Sequence, residues 1–89
     1  MKVVEVFRVT GRGDAMLTDA PFTSQLWAKL CSRLKTGMKL RIGSVHEFDV
    51  IGVEAVLKTS KEEFIGFLVA PISDQAVRTA LIGEAIEVI

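Results

Sequence analysis

The 89-residue sequence has no tyrosine, a single cysteine, only two prolines and no net charge. One cysteine, Cys31, cannot form an internal disulfide, which excludes a disulfide-stabilised secreted domain. No apolar run approaches the roughly 18–20 residues that a membrane-spanning helix needs, and no charged-then-apolar leader follows Met1. These absences predict a soluble, cytoplasmic protein that does not associate with membranes.

Motifs that carry chemistry are also absent. The sequence has no G-x-x-x-x-G-K-[ST] phosphate loop, so we expect no nucleoside triphosphate to be bound by that mechanism. His46 and Cys31 are the strongest soft metal ligands, and neither has a partner at ligand spacing. The leucines near Cys31 favour a packed thiol over a nucleophile. We therefore predict a protein that is not an enzyme and that uses no metal or other cofactor.

Alternating apolar and polar residues predict one mostly β domain over residues 1–89. The clearest strand is 38–42, where Met38, Leu40 and Ile42 share one face and Lys39 and Arg41 share the other. Other strands are predicted at about residues 2–9, 15–18, 46–57, 63–69 and 84–89. Several carry apolar residues on both faces, which predicts a small closed β-barrel of six to seven strands. The residues expected inside it are Met16, Met38, Leu40, Ile42, Phe48, Val50, Leu68, Ile86 and Val88.

Two sequence features predict irregular backbone within this pattern. Gly11-Arg12-Gly13 stands between two strand-like runs and predicts a tight turn, because glycine adopts positive φ without steric cost. Within residues 46–57 the alternation changes face near Gly52, which predicts a β-bulge there.

One segment has helical periodicity. Phe22, Leu26, Trp27, Leu30 and Leu34 fall on one stripe, so we predict a helix at about residues 23–35, inserted between the second and third strands. Thr23 or Ser24 can cap its start and Gly37 can end it. A single helical turn is expected after Pro71, beginning at 73–74.

The order of strand and glycine motifs resembles the second domain of translational GTPases, the β-barrel domain of the elongation factor Tu family. Five segments carry the resemblance: Val6–Met16, Lys35–Gly43, Val50–Val56, Phe64–Val69 and Arg78–Ile86. They match, in order, the family's Gly-Arg-Gly corner, its K-V-G-D-x-V-x-I-x-G segment, its T-G-V-E-M motif, its N-V-G-x-x-L strand and its final I-x-R-G-x-V-L segment. The chain is similar to a freestanding copy of that barrel, with Asp19–Leu34 as an insertion.

This resemblance implies a fold and, by analogy, a binding role. In the elongation factor the domain helps to hold the aminoacylated end of transfer RNA, and the glutamate of the G-V-E motif, matched here by Glu54, lies beside the terminal adenosine. The arginine that follows three positions later in the family is Leu57 in this chain.

The charges divide along the chain and leave two hypotheses about the partner. Residues 20–46 contain five basic residues and no acid, whereas residues 47–89 contain eight acids and three basic residues. A basic surface for RNA, transfer RNA or the ribosome would use Arg12, Lys29, Arg33, Lys39 and Arg41, with Glu54. The favoured hypothesis is a non-catalytic protein-interaction or self-association module, in which the helix presents Trp27, Leu30 and Leu34 to a protein partner or a second copy.

Overall fold

A computed structural model of the chain describes residues 1–57 and 61–89. In chain order, the described residues form β1 (Val3–Val9), β2 (Gly13–Pro21), α1 (Ser24–Lys35), β3 (Lys39–Ile42), β4 (His46–Leu57), β5 (Glu63–Val69), α2 (Gln75–Leu81) and β6 (Ile86–Val88). The fold is therefore mostly β, as the sequence predicts. The predicted bounds of β4 and β5 are confirmed to the residue, whereas β2 is longer than the predicted 15–18.

The six strands form one antiparallel sheet in the order β1-β2-β5-β4-β3-β6. β5 lies between β2 and β4, and its residues pair with both strands: Phe67 lies opposite Met16 of β2 and opposite Val53 of β4. β3 connects this group to the short β6, where Leu40 pairs with Val88. The sheet is thus built from neighbouring hairpins, except where α1 and α2 connect distant strands.

The predicted closure of the sheet into a barrel is wrong. In the described residues β1 and β6 share no ladder; the one bridge between their ends joins Lys2 and Ala85. Backbone hydrogen bonds from Val3 N–H to the Glu84 carbonyl and from Gly83 N–H to the Val3 carbonyl hold the two ends together. Closure would need β6 to pair along β1, but β6 has three residues and α2 packs against β1.

The inserted helix is confirmed between β2 and β3. The Thr23 hydroxyl accepts a hydrogen bond from Leu26 N–H at 3.1 Å, which caps the first turn. Arg33 and Lys35 occupy the last turn, where positive charge interacts favourably with the helix dipole. Leu30 is the buried residue of the helix and joins it to the core of the sheet.

The second helix is longer than the single turn that the sequence predicts. α2 begins after Asp74, whose carboxylate accepts a hydrogen bond from Ala76 N–H at 2.9 Å, and it buries Leu81. Among the described residues, no helix is both long and apolar enough to cross a membrane.

The core lies on one face of the sheet, beneath α1 and α2. It contains Val3, Met16, Leu30, Met38, Leu40, Ile42, Val50, Val53, Ile65, Phe67, Val69, Ile72 and Leu81. The interior positions predicted at Met16, Met38, Leu40, Ile42 and Val50 are confirmed. Phe48, Ile86 and Val88 are only partly buried and pack against the core. Ile86 and Val88 belong to β6, the last strand of the sheet.

A second buried row lies on the opposite face, which we call the outer face. Ala15 of β2 lies opposite Phe7 of β1 and Leu68 of β5, and Leu68 lies opposite Gly52 of β4. Ala15 and Leu68 are almost completely buried. Leu68 is therefore buried as predicted, but on the outer face and not in the core.

The β-bulge predicted at Gly52 is confirmed. The pairing of β4 with β5 shifts register between Val50 and Gly52, so Ile51 has no opposite residue. A bulge re-aims the side chain of the extra residue. Ile51 accordingly remains 54% exposed although it lies inside a strand.

The turn between β1 and β2 depends on its two glycines for different reasons. Arg12 N–H donates to the Val9 carbonyl at 2.9 Å, and Gly11 adopts φ +78° inside this turn with open space around its Cα. Gly13 adopts φ +141°, and a Cβ there would fall 2.1 Å from the Val69 carbonyl oxygen. Gly13 thus allows the start of β2 to approach the end of β5 closely.

We expect Gly13→Ala to lower the free energy of unfolding by on the order of 2–4 kcal/mol, since it combines backbone strain with a clash against main-chain atoms. Gly11→Ala is the matched control and should cost about 1–2 kcal/mol, because only the left-handed conformation is penalised. Urea unfolding followed by circular dichroism measures both values. Equal losses for the two variants would contradict the close approach at Gly13.

Candidate functional site

Asp14 is a fully buried carboxylate at the start of β2. Arg8 Nε donates to its Oδ1 at 2.6 Å, and the Ile72 backbone N–H donates to its Oδ2 at 2.7 Å. Arg78 Nη2 of α2 lies 3.7 Å from Oδ1. One carboxylate thus connects β1, β2, the loop after β5 and α2.

These contacts determine the ionisation of Asp14. Burial disfavours the charged carboxylate and would raise the pKa of Asp14. The hydrogen bond from Arg8, the Ile72 amide and the positive charges of Arg78 and Arg8 outweigh that effect, so the pKa of Asp14 lies below its usual value. Asp14 is therefore a charged structural link and is poorly suited to accept a proton at neutral pH.

The arginine on α2 is held by further contacts. Arg78 Nη1 donates to the Gln75 side-chain oxygen at 3.1 Å. Its Nε is buried and has no hydrogen-bond partner among residues 1–57 and 61–89. The sequence analysis did not identify Asp14, Arg8 or Arg78 as a cluster. The available signal was an acid between the glycine turn and the apolar run that follows it.

Arg12 and Glu54, which the sequence proposes as two parts of a binding surface, are brought together as an ion pair. Arg12 Nη2 lies 2.7 Å from Glu54 Oε1. Glu54 lies opposite Gly66 of β5, so the pair extends from the β1–β2 turn across β5 to β4 on the outer face. The Glu54 side chain is 32% exposed and its charge is matched by Arg12 within the fold.

Lys39 and Arg41 also have acidic partners. Arg41 lies in a cross-strand row between Glu47 and Glu87, with nitrogen–oxygen distances of 3.5 and 3.0 Å. Lys39 Nζ lies 3.9 Å from an oxygen of Asp49. The alternation that directs these two basic residues to one face of β3 also places them opposite acids of β4 and β6. This part of the predicted basic surface is therefore largely neutralised.

The basic residues of α1 differ. Lys29 and Arg33 are exposed, as is Lys35 in the same last turn. In the described parts of the chain, no ion pair joins any of the three to an acid. The exposed residues Lys29, Arg33 and Lys35 together form what we call the basic face of α1.

The apolar stripe of α1, which the sequence proposes as an interface, packs on this chain's own sheet. Leu30 is 4% exposed, and Trp27 and Leu34 are partly buried against the core. The Trp27 ring lies 5.6 Å from the Phe22 ring, measured between centroids, at an angle of 53°. Of the three proposed interface residues, Trp27 and Leu34 keep partly exposed side chains.

The residues considered for chemistry, Cys31 and His46, are not among the hydrogen-bond and ion-pair partners of Asp14. Cys31 is partly buried, and the buried residue of that helical turn is Leu30. His46 stacks on Phe48 with ring centroids 6.3 Å apart. No group of three or more His, Cys, Asp or Glu side chains able to hold a metal ion occurs in the described residues.

Comparison of the chain with protein-family models, with curated proteins and with solved structures found no match.

We expect Asp14→Asn to lower the free energy of unfolding by about 2–3 kcal/mol, because the neutral amide loses charge-assisted hydrogen bonds and leaves two arginines without their counter-ion. Asp49→Asn is the control: its side chain is 80% exposed and its partner lies at 3.9 Å, so a loss below about 1 kcal/mol is expected. Urea denaturation at neutral pH tests both. A similar, small loss for the two variants would show that the buried cluster contributes little.

The stabilisation by Asp14 should also depend on pH in a defined direction. Because its pKa is lower in the folded state, Asp14 stabilises the fold above its unfolded-state pKa, about 3.9, and this contribution is lost as pH falls through the lowered folded-state value. The difference in unfolding free energy between wild type and Asp14→Asn should be constant near neutral pH and shrink in acid. A difference that grew towards acid pH would contradict the assignment.

Proposed function

We propose that this chain is a non-catalytic binding module that contacts an acidic protein surface through the basic face of α1. The observation that carries the proposal is the distribution of ion pairs. Arg12, Lys39 and Arg41 are matched by acids of the sheet, whereas Lys29 and Arg33 have no such partner within residues 1–57 and 61–89.

The shape of α1 supports the same proposal. Ala28 and Ser32 are exposed beside the basic residues, and their short side chains allow another surface to approach the helix closely. Leu30 anchors the helix in the core and Thr23 caps it. The charged groups therefore project from a rigid element, which reduces the entropy lost on binding.

A role in binding RNA, transfer RNA or the ribosome is the second candidate, favoured by the four-residue spacing of Lys29 and Arg33 on one helix and by the resemblance to the translation-factor barrel. In that resemblance Glu54 would lie near a terminal adenosine, but here its carboxylate contacts Arg12 at 2.7 Å. With Lys39 and Arg41 of the sheet neutralised, phosphate contacts would depend mainly on the three basic residues of the basic face of α1. A protein partner accordingly fits the charge distribution better.

The proposal predicts that Lys29→Glu/Arg33→Glu reduces recovery of a protein partner from cell extract by about tenfold or more, because reversing charges at an interface replaces attraction with repulsion. Immobilised wild-type and variant protein are compared in extracts with and without nuclease. Lys2→Glu/Lys39→Glu carries the same change of net charge away from α1 and should retain the partner.

The same comparison separates the two candidates. Nuclease-resistant recovery that depends on Lys29 and Arg33 supports a protein partner. Recovery that nuclease abolishes favours RNA, and affinity for a labelled single-stranded RNA should then fall with a log–log salt slope of about −2 for three phosphate contacts. Equal recovery by wild type and the α1 variant would exclude this helix as the binding face.

A further inference from the structure

A groove lies between β4 and the loop that connects β5 to α2. Its cavity volume is about 540 Å³. Phe48, Ile51 and Pro71 supply apolar surface, and Ile51 is 54% exposed because of the bulge beside it. The acids that line the groove are Glu47, Asp49 and Asp74. An exposed apolar centre with a charged rim is typical of a protein-interaction site.

The rim of the groove keeps a net negative charge even when the ion pairs that its acids form within the chain are taken into account. Arg41 is shared between Glu47 and Glu87, and the exposed Asp49 carboxylate lies 3.9 Å from Lys39. Asp74 uses its Oδ1 to cap α2 and has no ion pair in the described residues. The groove therefore favours a positively charged occupant.

We propose that this groove binds the basic face of α1 of a second copy of the chain. The inference rests on the proposed role of α1 as a binding face and names its partner. Along a helix, Lys29 and Arg33 are separated by about 6 Å. Glu47 and Asp49, two positions apart on the same face of β4, are separated by about 7 Å. The two pairs of charges are thus opposite in sign and similar in spacing.

The exposed side chains beside the charges also fit the groove. Ala28 and Ser32 are exposed on α1, which leaves room for Ile51 of the groove to contact the helix. No ion pair joins Lys29 or Arg33 to the groove acids within one chain, as far as residues 1–57 and 61–89 show. Both surfaces are consequently available to other copies.

The contact is head-to-tail because the two surfaces are different. A contact of this kind repeats from one copy to the next and gives an open chain or a closed ring. Charged, exposed surfaces bind weakly and are screened by salt. Association should therefore increase with protein concentration and decrease as salt is added.

Two complementary variants test the proposal. Lys29→Gln/Arg33→Gln removes the helix charges and leaves the groove intact, whereas Glu47→Gln/Asp49→Asn removes groove charges and leaves the helix intact. In sedimentation velocity at low ionic strength, wild type should form species larger than a dimer as concentration rises. Each variant alone should remain a monomer, and their equimolar mixture should form a 1:1 dimer and nothing larger.

Folding of each variant is verified by urea unfolding, and NMR identifies the contact. Adding the helix variant to isotope-labelled groove variant should shift amide signals of residues 24–36, and the reverse labelling should shift signals of residues 47–51 and 70–74.

The proposal would be overturned by a monomeric wild type, by a dimer that survives in either variant alone, or by a mixture that stays monomeric. If extract binding still depended on Lys29 and Arg33, the proposed function would stand with a different partner.

Discussion

A carboxylate that is buried in a small fold remains charged only where hydrogen-bond donors and positive charges contact it. Asp14 has both kinds of contact, and they come from distant parts of the chain. The Ile72 amide fixes the loop after β5, and Arg78 fixes α2. The neighbouring Gly13 allows the carboxylate to reach these groups, because it has no Cβ to strike the Val69 carbonyl. The position of α2, and with it the gap between the edge strands β1 and β6, thus depends on a contact made at the start of β2.

The placement of charge explains why a mostly β chain would bind through a helix. In a strand, alternate residues share a face, so a charged residue lies directly opposite residues of the neighbouring strands. In this sheet those opposite residues carry the opposite charge, as in the row Glu47, Arg41 and Glu87. A helix connected to its sheet by an apolar stripe has no such neighbours on its exposed side. Lys29 and Arg33 therefore keep their charges available, although the whole chain has no net charge.

Local patterns predict much of this architecture. The alternation in β4, the bulge at Gly52 and the capped stripe of α1 each depend on residues close in sequence, and the structure confirms all three. Contacts between residues that are distant in sequence could not be predicted from these local patterns. Asp14 and Ile72 are separated by 58 residues, and nothing in the sequence indicates that they meet. The predicted closure of the sheet into a barrel is also wrong, because closure depends on the length of β6 and on the packing of α2.

The candidate site shows the same division. Sequence reasoning selected Arg12 and Glu54 separately, and their pairing across β5 became visible only from the register of the sheet. It selected Leu30 as part of an interface, but the same stripe holds α1 to the core. The charges of α1 were correctly expected on its exposed side, because the periodicity that buries Leu30 also determines where Lys29 and Arg33 lie.

An open sheet has two edges, and in this chain neither offers a long run of free backbone to another strand. β6 pairs with β3 along one side, its Ile86 N–H donates to the Met1 carbonyl, and it has only three residues. Along β1, α2 packs nearby, and the exposed side chains include Glu5 and Arg8. Short, covered and charged edges disfavour strand addition between molecules and so protect against amyloid-like stacking. The short β6 and the packing of α2 against β1, which keep the sheet from closing, also keep it from growing.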